Sequence, residues 1–164
     1  MSRPVPACRP RPVLCAAAVA LFALAPLACG SPLTVADVHE TLGASEVQLF
    51  GGLVQRITVS PAEPEIGTEV EIRSVVRNPG QTSRRFLSNI CRLDLESVLE
   101  LRAAPGWTEC MGLPREESLA PGDSLVVITR QLVHGLDGDH EIRVAHVLEP
   151  LHWVPVRVRL KPRS

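Results

Sequence analysis

Between Thr68 and Asn78 apolar and polar residues alternate in all but the Ser74-Val75 pair. Val70, Ile72, Ser74 and Val76 fall on one side, and Glu69, Glu71, Arg73 and Arg77 on the other. A period of two describes a β-strand with one buried and one wet face. The same grammar recurs in 53–60, 84–95, 98–103, 124–133, 140–148 and 153–161. In the last run Val154, Val156, Val158 and Leu160 alternate with Arg157, Arg159 and Lys161. The runs are separated by residues that cannot continue a ladder or that favour turns: Ser60-Pro61-Ala62-Glu63-Pro64, Asn78-Pro79-Gly80 and Ala120-Pro121-Gly122-Asp123. Asp137-Gly138 reads as a hairpin turn, and 104–117 is irregular. About seven short strands with regular turn signals predict an all-β chain folded as one antiparallel sandwich.

The first 28 residues do not share this pattern. Arg3, Arg9 and Arg11 precede the apolar run Val13–Leu24, the layout of a secretion signal peptide. Pro26 and Gly30-Ser31-Pro32 end the run short of the roughly 20 residues a membrane span needs. Leu27-Ala28-Cys29-Gly30-Ser31 then resembles the lipobox of bacterial lipoproteins, although Pro26 stands where that family usually has an aliphatic residue. The resemblance implies that Cys29 carries a diacylglycerol thioether and begins the mature chain. Two other readings stay open: ordinary cleavage after Ala28 or Gly30, which releases a secreted protein, and an uncleaved N-terminal helix. The expected organisation is a signal peptide over 1–28, a tether over 29–46 and the sandwich over 47–164. Val35, Val38 and Leu42 are spaced for one or two amphipathic turns within the tether.

Cleavage before Cys29 removes three of the 17 basic residues and no acidic one. The mature chain then has 14 basic against 18 acidic side chains, a formal charge of −4, which argues against nucleic acid as a partner. Cys8 and Cys15 leave with the signal and Cys29 takes the lipid, so only Cys91 and Cys110 remain. One even pair in an oxidising compartment reads as a disulfide, since metal or redox roles favour C-x-x-C spacing.

The segments Ile57–Pro61, Val70–Asn78 and Leu119-Ala120-Pro121-Gly122-Asp123-Ser124, with a final hairpin, resemble bacterial immunoglobulin-like and fibronectin-type-III-like adhesion modules. They also resemble the bacterial intracellular proteinase inhibitor family. The resemblance spans 53–160 and implies an immunoglobulin-like sandwich. The chain has no tyrosine for a tyrosine corner, and its two cysteines are too close in sequence for the inter-sheet bridge of antibody domains.

Catalytic and metal-binding signals are weak. No G-x-S-x-G elbow occurs, and Ser124 and Asp123 sit in a turn that Pro121-Gly122 already explains. His134, His140, His146 and His152 recur every six residues. His140 and His146 stand about 20 Å apart along a strand, too far to share one ion. The pairs His134–His140 and His146–His152 could approach across a hairpin but fall short of the three or four ligands a zinc site wants, so they read as histidines of strand ends and rims. Glu116-Glu117 and the trio Asp137, Asp139 and Glu141 are candidate calcium ligands, but adjacent strand residues point apart. Arg84-Arg85 reads as a solvated strand edge that discourages aggregation. Trp107, beside Pro105-Gly106, is either an interaction anchor or a cap on the core.

These features predict a non-catalytic exported lipoprotein of the cell envelope, held to the membrane by its N-terminal lipid on the periplasmic or cell-surface side. Its sandwich acts as a protein-binding, adhesion or assembly module for an unidentified envelope or extracellular protein. The guessed contact residues are Trp107, Arg84 and Arg85, and no metal or cofactor is implied. The alternative is a proteinase inhibitor presenting the loop 104–117.

Overall fold

The computed structural model describes residues 39–90, 92–107, 113–149 and 151–164. The signal segment, Cys29, Cys91 and residues 108–112, with Cys110 among them, lie outside the described residues. The described chain is almost entirely β. Its strands are β1 (His39–Thr41), β2 (Ala44–Gln48), β3 (Val54–Ser60), β4 (Glu69–Arg77), β5 (Arg84–Ser88) and β6 (Asp94–Ser97). They continue with β7 (Glu100–Ala103), β8 (Arg115–Leu119), β9 (Ser124–His134), β10 (Gly138–Ala145), β11 (Val147–Glu149) and β12 (Val154–Leu160).

A six-stranded antiparallel sheet has the order β1-β2-β3-β4-β9-β7, and a second runs β12-β10-β6. The series β3-β4-β9-β7 against β6-β10-β12 is the ABED-against-CFG order of immunoglobulin-type sandwiches. A third small sheet, β11-β5-β8, continues from the second at one end. Twelve strands replace the expected seven for physical reasons. The expected strands 84–95 and 140–148 each break in two where the chain bends from one small sheet to the other. β8 forms in a stretch rich in charge, and β1 with the first three residues of β2 falls within 29–46, the residues assigned to the tether, where the two strands make a hairpin. Asp137-Gly138 is not a hairpin turn: β9 pairs with β4 and β7, whereas β10 pairs with β12 and β6, so the turn carries the chain between sheets.

The alternating runs bury the side they were expected to bury. Val70, Ile72, Ser74 and Val76 are at most 1% exposed, and Val154, Val156, Val158 and Leu160 at most 2%. Inward side chains of the six-stranded sheet and of β12-β10-β6 form the main apolar cluster, including Ile57, Ile72, Val127, Ile142, Val144 and Val156. A second cluster of Leu49, Leu53, Val76, Phe86, Leu119 and Val147 fills the end beneath the small sheet. The β1–β2 hairpin closes against β12, with Gly43 N donating to Arg157 O at 2.7 Å. Gly43 has φ +76°, and a Cβ there would stand 2.4 Å from that of Ala62, so only glycine fits.

Asn78 organises the end that holds the second cluster. Its buried Nδ2 donates to Thr82 O at 2.9 Å and Leu119 O at 3.0 Å, and its Oδ1 accepts from Gly80 N at 3.0 Å. Its backbone exchanges hydrogen bonds with the Ala120–Asp123 turn, to Asp123 O at 3.0 Å and from Gly122 N at 2.8 Å. One amide therefore ties two turns together and sets where β5 begins. Asn78→Asp replaces the donor by a carboxylate facing two backbone carbonyls, that of Leu119 buried, and is expected to destabilise the fold by at least about 2 kcal/mol. Urea unfolding checks this, and an unchanged midpoint would show that the amide does not hold the turns.

Candidate functional site

Three places in the described structure concentrate polar chemistry, and the first is sealed. Gln55, Ser74 and His146 are all fully buried, on β3, β4 and the break between β10 and β11. Gln55 Nε2 donates to Ser74 Oγ at 3.3 Å, and Ser74 Oγ lies 2.8 Å from His146 Nδ1. The trio stands between the two apolar clusters, since each strand contributes to the main cluster on one side of it and to the second on the other. His146 departs from the expectation of a rim histidine. Ala145, His146 and Val147 are buried in succession where the sheet bends, so alternation no longer turns the imidazole outward.

A serine and a histidine in hydrogen-bond reach suggest a nucleophile and its base. Here neither atom is open to a substrate, and the third member of the chain is an amide rather than a carboxylate. What the trio does is join the sheets. Burial also pushes the His146 imidazolium down to a pKa of about 4.

The second place is the outer face of the six-stranded sheet. Arg56 stands opposite Val75 across β3 and β4, and Arg73 and Arg77 flank Val75 on its own strand, each about 7 Å away. All three are exposed, and among the described residues none has an ion pair or side-chain hydrogen bond. Glu46 faces Arg56 in register without forming an ion pair. Val126 lies opposite Val75 and Ile128 opposite Arg73, so the cations are interleaved with apolar groups. Most other arginines of the domain are paired, such as Arg143 with Glu96 at 3.0 Å and Arg157 with Glu40 at 2.8 Å. Trp107 lies on the same face: the Arg130 guanidinium sits 5.5 Å from its ring centroid, and Arg130 also meets Glu69 and Glu71. Trp107 is half-buried against this outer surface and is no part of either apolar cluster.

The third place is a cleft of about 320 Å³ at the Asn78 end. Leu49, Leu53, Phe86 and Val147 form its floor, and Arg84, Arg85 and His152 stand on its walls. Phe50, 80% exposed, projects beside it from a turn in which Gly51 and Gly52 both have φ +80°. Arg85 is 3.7 Å from Glu116, while Arg84 has no partner among the described residues. His152 Nε2 is enclosed without a hydrogen-bond partner.

The guessed contact residues are thus divided. Trp107 reaches β9 near Glu71, whereas Arg84 lies beside Asn78, roughly 20 Å away along β4. Nor are Arg84 and Arg85 on a sheet edge. β5 is the middle strand of its sheet, because β8 and β11, neither foreseen as a separate strand, flank it. The missed residues are Arg56, Arg73 and Arg77. Alternation placed Arg73 and Arg77 on the wet face, but their lack of carboxylate partners depends on cross-strand register.

Among the described residues no three His, Cys, Asp or Glu side chains lie together as a metal site. His140 Nε2 is 2.8 Å from Leu136 O. Asp139 hydrogen-bonds Arg159 at 2.6 Å, which holds its carboxyl below the usual range. Glu116 and Glu117 pair with Arg85 and Arg115. No family model matches the chain. No curated protein matches it either.

The buried histidine makes stability depend on pH. With the folded value near 4 and the unfolded value near 6.5, the unfolded chain binds the proton more readily. Its contribution is complete above pH 6.5, falls as pH drops through that window, and reaches a loss of about 3 kcal/mol below pH 4. Urea midpoints measured from pH 7 to pH 4 test this against His146→Asn, whose amide nitrogen replaces Nδ1 toward Ser74. The variant is expected to lose less stability on acidification, and equal slopes would exclude His146 as the cause.

Proposed function

We propose that this chain is a non-catalytic exported lipoprotein of the cell envelope, acting as a protein-binding, adhesion or assembly module. The observation that carries the reading is the group of three unpaired arginines around Val75, continuous with Trp107 and Arg130 at the other end of the face. Guanidinium groups left without carboxylates, beside apolar groups on a rigid sheet, suit an acidic protein surface. Arginine and tryptophan are the residue types most often found at binding hot spots. The buried position of Ser74 and His146 supports a module that binds rather than hydrolyses. The anchor rests on the signal segment and Cys29, with Gly30 and Ser31 after it.

Two measurements test the two halves of this reading. Cells fed a labelled fatty acid are expected to label the wild-type chain and not Cys29→Ser, and equal labelling would reject the anchor. A photo-crosslinking residue at Val75 in the full chain is expected to capture an envelope protein. Arg56→Glu with Arg73→Glu should weaken capture at least about fivefold, since each arginine of a binding centre contributes more than about 1 kcal/mol. Capture that is insensitive to both reversals would remove this face from the proposal.

A further inference from the structure

The first described residue, His39, stands nearer the cleft end of the sandwich than its other end. β1 and β2 are antiparallel with His39 opposite Glu46, two residues short of Gln48 at the cleft end. The C-terminus leaves at the other end, where Lys161 pairs with Glu65 and Ser164 Oγ meets the Glu65 carboxylate. Cys29 is 39 − 29 = 10 residues before His39. A chain of that length reaches at most about 35 Å when extended. Through Glu46 and Arg56, His39 stands level with Val75, two residues from the cleft end of β4 and six, roughly 20 Å, from its other end.

This near end has the chemistry of an interface between lipid and water. Phe50 is 80% exposed at the tip of a tight turn, and Leu151 is 53% exposed beside the cleft wall. Two large apolar groups in water are matched by Arg84, which no carboxylate neutralises, and by Arg85, only loosely met by Glu116. Between them the cleft offers an apolar floor, with an enclosed His152 Nε2 lacking a partner. Aromatic tips with guanidinium groups alongside favour the headgroup region of an anionic bilayer.

The geometry points to this end as a membrane-docking surface: Phe50 and Leu151 enter the headgroup layer, Arg84 and Arg85 meet anionic headgroups, and the cleft receives an apolar part of the lipid. The docking deepens the lipoprotein reading and rests on it, because a lipid at Cys29, ten residues before His39, keeps this end within reach of the bilayer.

The test uses the full mature chain carrying Cys29→Ser, so that only the protein surface can bind. Co-flotation is measured with vesicles of phosphatidylcholine alone and of phosphatidylcholine with phosphatidylglycerol. Binding is expected only to the anionic vesicles and should fall with salt. Arg84→Glu is expected to weaken it roughly tenfold or more. Arg163→Glu, the same charge change at the opposite end, should leave it unchanged. Phe50→Trp, at a position whose exposure spares the fold, should show a blue-shifted emission on anionic vesicles.

The inference is overturned by absence of vesicle binding, by equal binding to both lipid mixtures, or by equal loss in the two charge reversals. A cleft that serves a protein instead would give the first of these results. Fatty-acid labelling of Cys29 is independent: anchoring without vesicle binding rejects the docking surface alone, and vesicle binding without labelling rejects the anchor alone.

Discussion

The sandwich is organised around a polar layer that crosses an otherwise aliphatic interior. Gln55 and Ser74 meet diagonally across β3 and β4, and His146 reaches Ser74 from the bend of the opposing sheet. Below them lies one apolar cluster and above them another. Aliphatic side chains slide past one another with little directional preference, and valine at successive inward positions permits more than one register. A hydrogen-bonded trio does not. It fixes β3 against β4 and both against the bend of the opposing sheet, at the cost of leaving Gln55 Oε1 and His146 Nε2 without protein partners. Each such buried atom carries a desolvation penalty of about 1–3 kcal/mol, so the layer is a specificity device more than a source of stability.

The second sheet bends at that layer. β10 pairs with β6, and beyond His146 the chain resumes as β11 and pairs with β5. The bend places Phe86 and Val147 over Leu49 and Leu53, creating the second cluster and the cleft above it. Asn78 fixes the two turns beside this cluster. The polar layer, the bend and the cleft therefore follow from one another, and each falls on residues whose neighbours in sequence carry no special signal.

Strands with one wet and one dry face were legible because burial on one side imposes a period of two. Thr68 to Asn78 and Trp153 to Lys161 were readable nearly to the residue. β8 was not, because Arg115-Glu116-Glu117-Ser118 has no apolar alternation and is held mainly by backbone pairing with β5. The bends in 84–95 and 140–148 were hidden for the opposite reason: Ala145, His146 and Val147 are all buried, and consecutive burial looks like a continuous strand in one dimension. For the site, Trp107 and Arg84-Arg85 stood out by composition, yet only the fold separates them. The arginines around Val75 were visible one by one, and their grouping required the pairing of β3 with β4.

That separation has a mechanical consequence. Strands run from the cleft end to the end that carries Lys161 and Ser164, so the outer face of the six-stranded sheet stands parallel to the strand direction and spans both ends. A domain held at the cleft end would present this face along the membrane normal, with Arg77 nearest the bilayer and Trp107 farthest from it. Arg84 belongs to the end and Arg73 to the side, although both are free cations. Contact of one with lipid would leave the other open to a partner, because a two-layer sandwich is stiff enough to keep an end and a side from collapsing onto the same surface.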